Sequence, residues 1–136
     1  MDIDTGLVYV KTVIFIVETT MLIISMLLFF FSESIVHLLF GRNSQESILL
    51  LKIMAIMPFF VALSNILGIQ IMLNLGFQRA FSQILFAAAV TGVCLNLVMV
   101  PTYEAVGSAV SIVAVEIFVT VSMLLFLYVK SPLLSK

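Results

Sequence analysis

Glu18 and Glu116 stand inside long apolar stretches of this 136-residue chain, where a carboxyl is the group with most chemistry to offer. A charged side chain near a bilayer centre costs several kcal/mol unless it is neutralised, paired or wetted. Each glutamate therefore reads either as a proton or substrate site facing a cavity, or as a structural acid held by a neighbouring helix. Steps of seven from Lys11 meet Glu18, Ser25 and Ser32. The drift is only about 20° per step on an ideal helix, so these residues form one polar stripe. Lys11, about 10 Å along the axis from Glu18, is a candidate ion-pair partner, or it snorkels to the interface. Glu116 falls near the middle of the last apolar run, with Thr120 one turn on and Gly107, Ser111 and Ala114 on the opposite side. Small residues at that spacing let another helix approach closely, so this helix is expected to pack with one face and offer a carboxylate with the other. Low polarity favours the neutral acid, which makes proton exchange the chemistry both glutamates could carry.

The remaining polar positions point to packing and bending. Pro58 has no N–H for the carbonyl of Met54, so a kink is expected there. Ser64 and Gly68 form a small-xxx-small pair with Asn65 beside them, read as an interhelical contact with an amide hydrogen bond or as a hinge. Ala89, Gly92 and Asn96 share a helix face, with Ala88 beside it, and read as packing positions. Lys52 is expected to snorkel, and His37 to lie in an apolar stretch, 34–40, at the interface. No phosphate-binding glycine loop, histidine pair at ligand spacing or nucleophile with a nearby base is present. An enzyme, a metal centre and a cofactor are therefore not expected. Cys94 is the single cysteine, so it forms no disulfide within the chain.

The elements that must position these residues follow from hydropathy. The chain is 63% hydrophobic and 10% charged, with mean hydropathy +1.33. That is far too little polar surface to cover a soluble domain of this length. Four runs, Leu7–Phe31, Ile48–Leu73, Phe81–Val100 and Gly107–Val129, each meet the length of about 20 residues that a bilayer crossing needs. The expectation is one all-α integral membrane domain of four transmembrane helices. The intervening segments, 32–47, 74–80 and 101–106, read as loops. The runs lack the alternation a β-barrel needs, and a net charge of −1 gives no nucleic-acid footprint. Met1–Gly6 is acidic and the first run is too long for the core of a cleaved signal peptide. Lys11, Arg79, Lys130 and Lys136 against Arg42 and Lys52 favour cytoplasmic termini by the positive-inside rule. Tyr9, Tyr103 and Tyr128 sit near run ends, where headgroups suit them.

The stretch Met57-Pro58-Phe59-Phe60-Val61-Ala62-Leu63-Ser64-Asn65-Ile66-Leu67-Gly68-Ile69-Gln70 resembles the C-terminal part of Wzx-type O-antigen flippases. These belong to the multidrug/oligosaccharidyl-lipid/polysaccharide exporter superfamily. Leu38-Leu39-Phe40-Gly41 resembles the family's turn after a span. Pro101 sits where its proline-containing loop lies, and Gly107-Ser108-Ala109 followed by Glu116 resembles the opening and acidic residue of its last helix. The resemblance implies the last four helices of a transporter with about a dozen. Such a protein moves undecaprenyl-diphosphate-linked O-antigen or polysaccharide repeat units across the bacterial inner membrane for lipopolysaccharide biosynthesis, drawing on an ion gradient. Its implied partners are membrane lipid, a lipid-linked oligosaccharide and the N-terminal helices that this chain lacks. The family's cavity residues lie largely in those helices, and no family motif falls at Glu18.

Two other readings fit parts of the sequence. A small four-helix proton-coupled exporter, acting as a dimer, would use Glu18 in its first helix. Against it, the chain has no tryptophan and few aromatic residues around Glu18. A non-transporting membrane assembly subunit would use only the small-residue faces.

Overall fold

The computed structural model describes residues 3–41 and 45–134, with side chains over 12–41 and 45–130. Every element among the described residues is helical: α1 (Ile3–Phe30), α2 (Ser32–Phe40), α3 (Gln45–Met54), α4 (Met57–Asn65), a π-helix (Ile66–Leu73) and α5 (Gln78–Leu134). Three helical stretches are long and apolar enough to cross a membrane, at 12–30, 45–73 and 78–130.

The segment read as a loop after the first run is instead largely helix. Helical bonding runs from α1 into α2 through Phe31, whose N–H reaches Leu27 O (2.9 Å) and whose carbonyl accepts from Ile35 (2.9 Å). The buried Ser32 hydroxyl donates to Phe29 O at 2.9 Å. No residue in 32–40 breaks a helix, and Glu33 near its start and His37 near its end suit the helix dipole. Gly41, with φ +78°, ends it.

α1 lies against α4. Glu33 of α2 accepts a hydrogen bond from Lys52 Nζ at 3.0 Å, and Ser25 Oγ accepts one from the Phe59 N–H at 3.2 Å. Lower numbers on one side pair with higher numbers on the other, so α1–α2 and α3–α4 run antiparallel. Outside that contact α1 is strongly exposed, with Phe15, Ile16, Ile23, Met26 and Phe30 all open. Such a surface fits hydrocarbon as solvent.

The second stretch is interrupted where the sequence predicts a kink. α3 ends at Met54 and α4 begins at Met57, and Pro58 supplies no N–H toward Met54. Beyond Asn65 the backbone turns into a π-helix, an element the hydropathy pattern gave no sign of. Its last turn closes with Phe77 N–H on Met72 O at 2.9 Å and with Gly76 at φ +81°.

The third stretch holds 53 residues, about 80 Å of helix at 1.5 Å per residue, more than twice the hydrocarbon thickness. Its helical backbone is interrupted at Glu104 (φ 50°, ψ −127°), where the sequence reading expected a loop over 101–106. A Cβ on Gly107 would meet the Met99 carbonyl, and one on Gly92 would lie 3.3 Å from Val115 Cγ2. Residues before and after Glu104 thus pack side by side, with Ser111 buried and bonded to Gly107 O at 2.8 Å. Leu67, Met72, Ala88, Val119 and Met123 form the core, with Phe77 and Phe126 edge to face at 5.3 Å.

G107A should force the two halves of α5 apart, because its new methyl meets backbone. We expect a loss of roughly 1–3 kcal/mol, read as a lower thermal midpoint in detergent micelles, whereas G92A, facing a yielding valine side chain, should stay near wild type. Lys52, through its hydrogen bond and then its charge, holds the Glu33 carboxyl below the usual carboxylate range. That contribution to stability is present above the unfolded-state carboxylate value and is lost as pH falls through the lowered folded one. K52M should therefore flatten this small part of the acid dependence of thermal unfolding, and a profile unchanged in K52M would refute it.

Candidate functional site

The most polar contact between elements lies where α4 ends. The buried Ser64 hydroxyl is hydrogen-bonded to Glu116 Oε1 on α5, and its oxygen also lies 3.1 Å from the Val61 carbonyl. One turn along α5, the buried Thr120 hydroxyl donates to Glu116 O at 2.9 Å and reaches Phe60 O at 3.5 Å. The second half of α5 is thereby tied to α4 at two successive turns.

These groups line a cleft of about 350 Å³ whose walls include Val61, Ser64, Asn65, Phe81, Leu85 and Glu116. Gly68 brings the first half of α5 up to it. A Cβ there would lie 2.5 Å from Phe81 Cε2 and 3.2 Å from Met123 Cε, so only glycine lets the ring sit on the π-helix. Asn65 is exposed while Ser64 is buried. Among the described residues Glu116 is the one ionisable residue lining the cleft, so the arrangement suits binding a proton or presenting a single carboxylate.

Glu18 lies elsewhere. Both its oxygens are shielded and have no hydrogen-bond partner among the described residues, and it does not line the cleft. The side chain of Lys11, offered above as its ion-pair partner, lies outside the described residues. Continuing the antiparallel register set by Ser25–Phe59 places Glu18 level with Ile66. Glu18 and the Ser64–Glu116 pair are thus at similar depth, yet not joined by a hydrogen bond.

The other expected residues are scattered. Pro58 stands at the break between α3 and α4. Asn96 turns its amide onto Gly92 O at 2.9 Å. With Ala89 and Gly92 it lines a separate, open and mostly apolar groove of about 610 Å³ on the first half of α5. Ala114, read with the small-residue face of the last helix, is exposed, whereas Gly107 and Ser111 are buried. His37 is exposed, its Nδ1 3.3 Å from Gly41 O. No group of three metal-ligating side chains occurs among the described residues. The sequence reading missed the acceptor role of Ser25, the contacts of Thr120 and Phe81, and the π-helix. Ser25 had left a sign by its place in the polar stripe, and Thr120 by its place one turn on from Glu116.

Over 102 residues, 75% of this chain, the sequence is 31% identical to a curated Escherichia coli (strain K12) protein named "Putative O-antigen transporter". The chain spans about a quarter of that relative's length (25%). No family model and no solved structure matches.

The Ser25 contact gives a direct test of the site's frame. S25A strands the Phe59 N–H in an apolar setting, at a cost of roughly 1–3 kcal/mol. We expect faster amide exchange at Phe59 and a lower thermal midpoint, with S25T retaining most of the stability.

Proposed function

We propose that this chain is the C-terminal membrane segment of a flippase that moves undecaprenyl-diphosphate-linked O-antigen or polysaccharide repeat units across the bacterial inner membrane. The 102-residue similarity to the O-antigen transporter relative carries the reading. The helical layout supports it. A 53-residue apolar stretch that breaks at Glu104 and packs its halves together suits two crossings, giving four in all; both termini then share a side, and the positive-inside rule favours the cytoplasmic one. In this reading the protein is a transporter and not an enzyme. Its partners are membrane lipid, the lipid-linked oligosaccharide and the helices that complete the transporter.

A second reading, a small proton-coupled exporter working as a dimer, draws on one observation: the shielded carboxyl of Glu18 has no hydrogen-bond partner among the described residues. Complementation separates the two. In a bacterium lacking its O-antigen flippase, the chain alone should give no ladder of O-antigen-capped lipopolysaccharide, and the ladder should return when N-terminal helices of such a transporter are co-expressed. A ladder from the chain alone would overturn the segment reading. Failure of both arms, with insertion and a cognate repeat unit verified, would refute the flippase assignment. Export of a cationic dye by the chain alone, abolished by E18Q, would establish the exporter.

A further inference from the structure

We propose that Ser64 and Glu116 form a proton-binding site whose occupancy decides which oxygen receives the Ser64 hydroxyl hydrogen. Ser64 Oγ carries one hydrogen, yet it lies within hydrogen-bond distance of two acceptors, Glu116 Oε1 and the Val61 carbonyl. With Glu116 ionised, that hydrogen goes to the carboxylate and the Val61 carbonyl loses its side-chain donor. With Glu116 protonated, the acid donates to Ser64 Oγ, and the serine returns its own hydrogen to Val61 O. Each state leaves the pair hydrogen-bonded, and they differ by one proton drawn from water and one negative charge. No covalent bond between heavy atoms is made or broken.

The surroundings make the proton the fitting ligand. The cleft around Glu116 is lined by Val61, Asn65, Ile69, Phe81, Leu85, Val119 and Met123 besides Ser64. No second carboxylate, histidine or basic side chain is among them, from α4, the π-helix or either half of α5. Glu18 belongs to α1, packed against α4, and does not line the cleft. The Glu33–Lys52 pair ties α2 to the last turn of α3, twelve residues before Ser64 in the chain. Among the described residues nothing charged in the cleft balances an ionised Glu116, so a proton suits it there. The switch also sits at a structural boundary, since Val61 and Ser64 form the last turn before the π-helix starts at Ile66. Loading the proton adds a bond within that turn, and releasing it commits Ser64 wholly to α5.

The inference rests on the transport reading only for the use made of the proton. Infrared difference spectroscopy of the chain in lipid bilayers tests it without any transport assay. The chain carries seven acidic side chains, so the Glu116 signal is the C=O stretch of a protonated carboxylic acid that appears as pH falls and is missing from the E116Q spectrum. It should persist in E18Q and shift in frequency in S64A. E116D keeps an acid on a shorter arm and should move the band rather than delete it, which preserves the test should E116Q fail to insert. A spectrum in which no C=O stretch separates wild type from E116Q at any pH, or a Glu116 band that S64A leaves in place, would overturn the proposal. Loss or return of the O-antigen ladder does not enter this measurement, so the two readings fail separately.

Discussion

A backbone immersed in hydrocarbon has no water to fall back on, so each N–H and C=O in a span must find its partner inside the protein. That constraint decides how the second helical stretch is built. Helical bonding lapses at Ala55 and Ile56, and Pro58 cannot restart it. The amide of Phe59 is left over, and it is met by a hydroxyl on another helix, Ser25 of α1. One serine thus makes the break tolerable and fixes the register of α1 against α4. The same register brings Glu33 to Lys52 at one end and sets the depth of Glu18 at the other.

The two intramembrane acids show what this economy means for side chains. Glu116 has a hydroxyl donor from α4, and its own carbonyl is taken by Thr120. Glu18 has shielded oxygens and no hydrogen-bond partner among the described residues. A carboxylate without donors in such a place carries the full desolvation cost, whereas one with a donor recovers part of it. Similar depth in the fold therefore does not give equal chemistry. Glu116 is built into an interface, and Glu18 is a polar group whose position follows from the stripe it shares with Ser25.

The sequence made the apolar stretches legible because length and hydropathy are properties of the residues themselves. Gly107 and Ser111 were legible as a close-packing face for the same reason, and they lie buried in the structure. What escaped depends on which residue ends up opposite which. Nothing in Ile66–Leu73 marks a π-helix, since its composition suits an α-helix equally well. The stretch 32–40 was read as part of the loop between two long apolar runs, although it contains no helix breaker. The turn after Pro101 was read as six residues, yet one residue, Glu104, takes up the reversal. The partners of Glu116 were the least legible of all, because Ser64 lies fifty-two positions away.

The π-helix has a geometric reason to stand where it does. Ser64, Gly68 and Met72 are all buried, at a spacing of four residues. On an α-helix, four residues turn about 40° beyond a full circle, so such a stripe winds away from a straight neighbour. A π turn takes in more residues and brings the stripe back the other way. An α segment ending at Asn65 followed by a π segment therefore keeps one stripe facing α5 over its whole length. At its upper end that stripe presents Ser64 to Glu116, in the middle it offers the bare backbone of Gly68 to Phe81, and at its lower end it places Met72 in the core. The wider turn is what allows a polar contact and an apolar core to share one helix face.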